Sequence, residues 1–286
     1  MANKKKALLV GINDYAPLGA GGPDLKGCVN DIKDIANTLV ICGFQPGSIK
    51  ILTDNRATKA NIISSIKWLL DGSTSGDSIV FYYSGHGSYV VDSNGDEPDH
   101  IDEIICPHDW PQYISDDELS VLFGNIPDGV NLEVIMDCCY SGTNTRAILS
   151  IDTINETKLL TPRFIKPPFD FEFYKDFKYA FPNNSSRPFS DLSNINTKRD
   201  VVSNLLNHCL WSACNDKQLA NEIAIETGYV RGIFTYHFCQ ILKATSGNIS
   251  REKLDLLLTA ALSRYGYDQT PQLEGRERSL INNIFE

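Results

Sequence analysis

Short apolar runs alternate with amphipathic stretches along the first half of the chain. The runs are rich in aliphatic and aromatic residues, as is typical of strands buried on both faces, and cover residues 7–12, 49–52, 79–83 and 132–136. Apolar side chains at helical spacing lie at 29–39 and, after a capping threonine at Thr58, at 62–70. A capping box at 115–118 opens another predicted helix. This order predicts an α/β fold, a three-layer sandwich with a mainly parallel central sheet and helices on both faces.

The alternation breaks between residues 143 and 200, a proline-rich segment that also holds an aromatic stretch at 169–181. A linker of this length without regular structure is uncommon inside one domain, so we predict a functional insertion or lid. The pattern then resumes, with a strand at 209–213 and helices at 233–243 and 250–265. We therefore expect one domain over 1–286, in which the insertion at 143–200 separates a part at 1–142 from a part at 201–286.

The charge balance excludes one class of partner. The 286 residues include 26 Lys and Arg against 36 Asp and Glu, a formal net charge of −10, which opposes binding to nucleic acid. No apolar run is long enough to span a membrane and the chain opens without a secretory leader, so we expect a cytoplasmic protein that does not contact a membrane. The eight cysteines form no C-x-x-C pair, which favours reduced thiols, one of them reactive, over disulfides or a zinc site.

Two motifs at predicted strand ends carry candidate chemistry. His86 lies between two glycines just after the strand at 79–83, and the pair Cys138 and Cys139 follows the strand at 132–136. Ligands of open α/β sheets bind at the carboxyl ends of the strands. A thiol becomes a nucleophile when a neighbouring imidazole takes its proton, and glycines let backbone N–H groups approach a substrate carbonyl. The two motifs together predict nucleophilic catalysis, whereas either alone is also consistent with a core histidine or a core cysteine.

The sequence resembles the caspase-type cysteine peptidases, specifically the metacaspases and their prokaryotic relatives, the orthocaspases. The resemblance covers nearly the whole chain through motifs in a fixed order, which are LVGINDY at 9–15, LKGCVND at 25–31, SGHG at 84–87, GDE at 95–97 with DE at 102–103, DCCYSG at 137–142, SACNDKQ at 212–218 and QTPQL at 269–273. His86 precedes Cys139 by 53 residues, close to the spacing in caspases. The resemblance implies a caspase-like fold without a prodomain, with 1–142 as the large-subunit-like part and 201–286 as the small-subunit-like part.

The resemblance also implies the catalytic roles. Cys139 is the expected nucleophile, with Cys138 as its buried neighbour, and His86 is the expected general base and then general acid. The backbone N–H groups of Gly87 and Cys139 are the expected oxyanion hole. An unreactive caspase-like module that binds or regulates partners is the alternative function, and the presence of both His86 and Cys139 argues against it.

The family's S1 pocket, which receives the side chain before the cleaved bond, maps to Cys28, Asp31, Ser84 and Asp137. Two carboxylates near one nucleophile favour a cationic side chain, and a planar guanidinium suits them better than an ammonium where a fork of hydrogen bonds can form. Helix-surface charge and strand-end capping are the alternative explanations for Asp31 and Asp137. The expected enzyme is a cysteine endopeptidase that cleaves protein or peptide substrates after Arg or Lys.

Calcium is the one cofactor the resemblance raises. Family members that need calcium carry ligands equivalent to Asp102, Asp116 and Asp117, plus an aspartate at the position of Arg146. A cation at a ligand position opposes metal binding, so no cofactor is expected to be required. A solvated acidic loop explains these aspartates equally well.

The insertion suggests how activity is controlled. Its aromatic stretch at 169–181 is either ordinary packing or a plug over the cleft. Basic residues that match a basic-specific pocket are Arg146, Lys158, Arg163, Lys166, Lys175, Lys178 and Arg187. We therefore expect a zymogen activated by cleavage within 143–200, by the protein itself or by an upstream protease. The resemblance further implies a monomer.

Overall fold

The computed structural model of the protein describes residues 3–15, 24–91, 101–139, 160–165, 207–215, 218–225 and 228–286. The strands are β1 (Lys5–Gly11), β2 (Ile49–Thr53), β3 (Ser78–Ser84), β4 (Gly87–Val91), β5 (Ile101–Ile105), β6 (Ile114–Ser115), β7 (Asn131–Asp137), β8 (Thr161–Pro162), β9 (Cys209–Ser212), β10 (Asn221–Ala224), β11 (Val230–Gly232) and β12 (Gln272–Glu274). The helices are α1 (Cys28–Ile41), α2 (Lys59–Leu70), α3 (Asp116–Phe123), α4 (Ile233–Thr245), α5 (Arg251–Arg264) and α6 (Glu277–Leu280).

The central sheet has six strands in the order β12-β9-β7-β3-β1-β2. Every neighbouring pair is parallel except β12, which runs antiparallel to β9. Parallel strands need crossover connections that place helices on the faces of the sheet, and the long apolar runs of β1, β3 and β7 are the sequence signature of that arrangement. The predicted α/β fold is confirmed.

The two faces of the sheet bury separate apolar clusters. Leu8 and Val10 of β1 belong to the cluster formed with α2 and α3, whereas Ala7 and Leu9 belong to the cluster formed with α1, α4 and α5. Successive residues of a strand point to opposite faces, so an uninterrupted apolar run serves both layers. The sheet therefore lies between two helical layers, with its strand ends free to build a site.

Two small antiparallel sheets flank the central one. Strands β4, β5 and β6 form the first in that order, and β11, β10 and β8 form the second, with β10 in the middle. The sequence pattern did not predict these strands, because segments of two to five residues contain too few positions to reveal a period of two. Both small sheets border the site described below.

The predicted helix starts agree with the structure at the level of single hydrogen bonds. The Thr58 side chain accepts from the backbone N–H of Asn61, and Ser115 and Glu118 form the predicted capping box.

Most of the 143–200 insertion, including the aromatic stretch at 169–181, lies outside the described residues. Among the helices that are described, none is both long enough and apolar enough to cross a membrane.

Candidate active site

The ends of β3 and β7 bring the two predicted motifs together. The strands pair in parallel with Ser84 opposite Asp137, so His86 and Cys139 leave neighbouring strands on the same edge. Both residues are fully buried. The backbones around them touch, since a Cβ placed on Gly87 would lie 2.1 Å from the Cys139 carbonyl oxygen. The two loops can approach this closely only because residue 87 is a glycine and has no side chain.

Two tyrosines hold the His86 loop. The backbone N–H of His86 donates to the Tyr15 hydroxyl at 2.6 Å, and the Tyr83 hydroxyl donates to the His86 carbonyl at 2.7 Å. The Tyr15 and His86 rings also pack with centroids 4.6 Å apart. A Cβ on Gly85 would lie 2.4 Å from one of these hydroxyls and 2.6 Å from the other, which explains the first glycine of the motif. Sequence reasoning did not assign Tyr15 and Tyr83 to the site.

The Cys139 thiol is engaged by a segment from the last third of the chain. Its Sγ accepts a hydrogen bond from the Ala220 N–H at 2.7 Å and donates to the Ala220 carbonyl at 3.2 Å. The Cys214 thiol hydrogen-bonds to the Cys139 side chain, and this bond, together with burial, raises the pKa of Cys214 well above its usual value. Cys138 is buried on the opposite face of the sheet, in the cluster with α2 and α3. All eight cysteines lie among the described residues, and there each is buried and takes part in no disulfide bond.

The two backbone N–H groups predicted as the oxyanion hole converge on one atom of the protein itself. The carbonyl oxygen of Arg163 accepts from Gly87 N at 3.1 Å and from Cys139 N at 3.2 Å. This is the arrangement that a pair of donors makes with the carbonyl of a bound peptide. The carbonyl carbon of Arg163 consequently lies beside the Cys139 loop.

The Arg163 side chain fills a closed acidic pocket. Its guanidinium is fully buried, with Nη2 at 2.6 Å from Asp31 Oδ2 and Nη1 at 2.9 Å from Asp137 Oδ2. The Ser84 hydroxyl accepts from Nη1 at 2.9 Å. Three of the four residues predicted for the pocket thus contact the same guanidinium. Cys28, the fourth, is buried beside them and its thiol hydrogen-bonds to the Ser84 side chain.

A third carboxylate completes the pocket. Glu222 Oε2 lies 3.6 Å from Arg163 Nη2, and the carboxylate accepts from the backbone N–H groups of Lys26 at 2.8 Å and Gly27 at 2.9 Å. Sequence reasoning missed Glu222, because it lies on the short strand β10 outside any motif and 195 residues from Gly27. Only the tertiary fold brings it to the pocket.

Backbone and hydroxyl donors hold the other two carboxylates in place. Asp31 accepts from the Gly232 N–H at 3.0 Å, and Asp137 accepts from the Thr235 hydroxyl at 2.5 Å. A Cβ on Gly232 would lie 2.2 Å from Asp137 Oδ2 and 2.5 Å from Arg163 Nη1, so this position admits no side chain. Such prearranged donors keep the carboxylates aimed at an incoming cation.

Burial dominates the electrostatics of the pocket. It raises the pKa of Asp31 to about 6, against the opposing effect of the Arg163 charge and with a further contribution from the Asp137 charge. Burial likewise raises the pKa of the Cys28 thiol, which favours its neutral form. The pocket is therefore a place where a cation is needed to keep Asp31 ionised.

The backbone on both sides of Arg163 runs through the cleft as an extended strand. We call residues 160–165 the cleft segment. Thr161 and Pro162 form β8 and pair antiparallel with β10, and the Arg163 N–H donates to the Ala220 carbonyl at 2.9 Å. Beyond the bond, the Ile165 N–H donates to the Gly87 carbonyl at 3.0 Å. The segment thus binds on both sides of the Arg163–Phe164 bond, as an extended substrate does.

Comparisons with known proteins show the family to which the chain belongs. Residues 5–147 match the family model described as the metacaspase, peptidase C14 domain. A protein named Metacaspase-1 from Scheffersomyces stipitis is 30% identical over 297 residues, an alignment that covers 95% of this chain and 70% of the relative. The chain belongs to the metacaspase family. It is thus a cysteine peptidase, a hydrolase that acts on protein substrates, with a caspase-like fold.

Other relatives support the same assignment. Metacaspase-1 from Debaryomyces hansenii is 31% identical over 294 residues, covering 94% of this chain and 64% of the relative. Among solved structures, the protein GSU0716 from Geobacter sulfurreducens aligns with a TM-score of 0.67 at 26% identity, covering 99% of this metacaspase and 98% of the other chain. The likeness to the solved structure extends across both halves of the fold.

The three aspartates predicted as calcium ligands lie within the described residues, whereas position 146 does not. Asp102 is buried on β5, while Asp116 and Asp117 open α3. Within the described ranges, no three His, Cys, Asp or Glu side chains are grouped so that they could hold a metal ion. Arg146 and residues 140–142 lie outside the described residues. The calcium site stays a prediction, and none of these residues takes part in the proposed peptide cleavage.

Proposed function

We propose that this metacaspase is a Cys139–His86 endopeptidase that cleaves after Arg, and less readily after Lys. The observation that carries the proposal is Arg163, whose guanidinium fills the acidic pocket while its carbonyl oxygen meets the Gly87 and Cys139 N–H groups. The two Nη atoms each face a different carboxylate. A single ammonium has one charged atom and cannot occupy both positions, which supports the preference for Arg.

The same geometry supports a first turnover on the protein's own chain. The Cys139 thiolate attacks the Arg163 carbonyl carbon, and the resulting oxyanion is held by the Gly87 and Cys139 N–H groups. The bond to the Phe164 nitrogen then breaks as the His86 imidazolium gives its proton to that nitrogen. Water, activated by His86, hydrolyses the thioester and releases the Arg163 carboxylate and the Cys139 thiol.

The uncleaved protein is proposed to be a zymogen, because the cleft segment occupies every position that a substrate needs. A segment tethered in cis competes at the high effective concentration of an intramolecular ligand. Cleavage of the Arg163–Phe164 bond by the protein itself, or cleavage elsewhere in 143–200 by an upstream protease, ends that advantage only when the new chain ends leave the cleft. The activity is proposed to need no organic cofactor and no calcium.

Incubation of the purified protein tests the proposal. Sequencing of the fragments should find a new N-terminus at Phe164 and none in the Cys139→Ala variant. Arg163→Ala should abolish cleavage at that bond and Arg163→Lys should slow it. The matched control is Lys166→Ala, a basic residue three positions along the chain that should leave the Phe164 terminus unchanged.

Fluorogenic peptides that differ only at the residue before the cleaved bond complete the test, each with and without calcium. Arg peptides should turn over fastest, Lys peptides more slowly and Asp peptides not at all. Turnover of none of them by fully processed protein with an unmodified thiol would refute the proposal and favour an unreactive module that binds partners. Faster turnover of Asp than of Arg would refute the pocket assignment alone.

A further inference from the structure

The cleft also contacts the two residues that follow the Arg163–Phe164 bond. The Phe164 ring stacks on Tyr89 of β4, with ring centroids 6.1 Å apart and planes inclined by 23°. Ile165 is only 5% exposed and joins the apolar cluster that contains α2 and α3. A segment that only covered the cleft would not need to bury an aliphatic side chain in the core. The burial of Ile165 therefore indicates a specific binding position.

Backbone pairing fixes which of these residues occupies which position. Gly87 forms a parallel bridge with Phe164, and its carbonyl accepts the Ile165 N–H at 3.0 Å. The Gly87 N–H meanwhile donates to the Arg163 carbonyl. One residue of β4 therefore sets the register on both sides of the bond, and a substrate that uses the Gly87 N–H is forced to present its next two side chains to the same two surfaces.

Charge does not explain these two contacts. The acidic pocket accounts for Arg163 alone, whereas Phe164 and Ile165 are neutral and bind through an aromatic face and an apolar hole. Burial of such side chains stabilises a complex without any ionic interaction. The two sides of the bond thus present independent recognition surfaces.

We infer that the enzyme selects substrates with an aromatic residue directly after the cleaved Arg and an aliphatic residue next, and that Tyr89 is the specificity-determining residue for the aromatic position. The inference rests on the proposed cleavage after Arg. Replacement of the aromatic residue by Ala should lower kcat/KM about 3- to 10-fold, the range of one aromatic pair. Replacement of the aliphatic residue by Ala should lower it about 10- to 30-fold.

Quenched fluorescent peptides assayed with the self-processed protein test the inference. The parent peptide carries Leu-Thr-Pro-Arg-Phe-Ile, the sequence of the cleft segment, and two matched peptides carry Ala in place of Phe or of Ile. In Tyr89→Ala the Phe-to-Ala ratio of kcat/KM should fall toward one by most of that factor, the remainder reflecting the contact of Phe164 with the apolar cluster that contains α1 and α4. Tyr89→Phe should restore the ratio, because the ring is retained. Tyr265→Ala, which removes an exposed tyrosine at the end of α5, is the control for loss of an aromatic residue.

The outcomes separate this inference from the proposed function. Cleavage of all three Arg peptides at equal kcat/KM by the parent protein would overturn the inference and leave cleavage after Arg intact. Failure to cleave any of them would overturn both. An unchanged Phe-to-Ala ratio in Tyr89→Ala would remove Tyr89 from the assignment. The parent protein alone tests selectivity, so the result does not depend on whether Tyr89→Ala folds.

Discussion

The Arg163 guanidinium is surrounded by more negative charge than it neutralises. One cation faces Asp31, Asp137 and Glu222, and all four groups are buried together. Each carboxylate loses hydration on burial, and a cation inside the pocket offsets that loss together with the backbone and hydroxyl donors. The preference for a cationic side chain therefore follows from the charge count, while the preference for a forked one follows from the separation of the acceptors.

Agmatine, which carries the guanidinium of arginine on a short chain, should bind the emptied pocket of a Cys139→Ala/Arg163→Ala protein. The pKa of Asp31, about 6 while Arg163 opposes the effect of burial, lies higher once that cation is removed. Agmatine favours the ionised carboxylate, so its binding expels the Asp31 proton wherever the empty pocket is protonated and the complex is not. The affinity should therefore fall, by up to about tenfold per pH unit, as the pH drops from the higher pKa of the empty pocket to about 6, and level off below that pH. Isothermal titration in buffers of different ionisation enthalpy measures the affinity and the protons released.

Asp31→Asn in the same background is the control for that titration. Agmatine should bind this variant more weakly and with no dependence on pH in the acidic range, because the titrating group is gone. An affinity for agmatine that stays constant as the pH falls toward ~6, in the protein that keeps Asp31, would contradict the assignment.

Gly232→Ala should close the pocket. The added methyl group would lie 2.2 Å from Asp137 Oδ2, a contact that forces the carboxylate away from its position. A displacement of this kind should lower kcat/KM for Arg peptides about 100-fold, mainly through KM. Gly47→Ala is the matched control, since its Cβ would meet nothing within 4 Å and activity should stay within about twofold. Equal kinetics for the two variants would argue that Arg peptides bind elsewhere.

At the scale of elements, two short strands, β4 and β10, contact the cleft segment on the two sides of the Arg163–Phe164 bond. β4 supplies the Gly87 donor and the Tyr89 ring, and β10 supplies Glu222 and the backbone that pairs with β8. β10 lies between β11 and β8, so departure of the cleft segment leaves one edge of β10 unpaired. An unpaired strand edge is a template for a substrate strand.

Amide hydrogen exchange should show when β10 loses β8 as its neighbouring strand and when a peptide takes the place of β8. Amides within 218–225 should exchange slowly in the uncleaved protein, faster after processing, and slowly again when a peptide with the sequence of the cleft segment is added. Amides of β1, which lies inside the sheet between β2 and β3, are the internal control and should not change. Protection of 218–225 that is unaffected by processing would show that the cleft segment stays bound after cleavage.

At the scale of the whole molecule, the site is assembled from both parts of the chain. The nucleophile and two of the pocket carboxylates come from the first 139 residues, whereas Glu222, Gly232 and Thr235 come from beyond the insertion. Residues 133–136 of β7, in the first part, pair in parallel with β9 of the second. Arg251 reinforces this junction through a buried hydrogen bond of 2.8 Å from its Nε to Glu133.

Cleavage at the Arg163–Phe164 bond should therefore yield two fragments that remain one folded particle. The pairing of β7 with β9 and the shared apolar clusters hold them together without a covalent link. Size-exclusion chromatography should show one species near the 31.8 kDa of the intact chain, and denaturing electrophoresis should show two bands. Elution of separate fragments under native conditions would contradict this arrangement.

Local patterns were enough for the layered fold, the strand-end motifs and the pairing of a histidine loop with a cysteine loop, because these depend on periodicity and on neighbours in sequence. Asp31, Ser84 and Asp137 came only from the family resemblance. The sequence offered seven basic residues for the pocket and did not decide among them. The Arg163 guanidinium meets the Asp31 carboxylate, 132 residues away in sequence, only in the folded arrangement of the strands. The sequence could not predict Glu222 as a pocket residue for the same reason, because its partner Gly27 is 195 residues away.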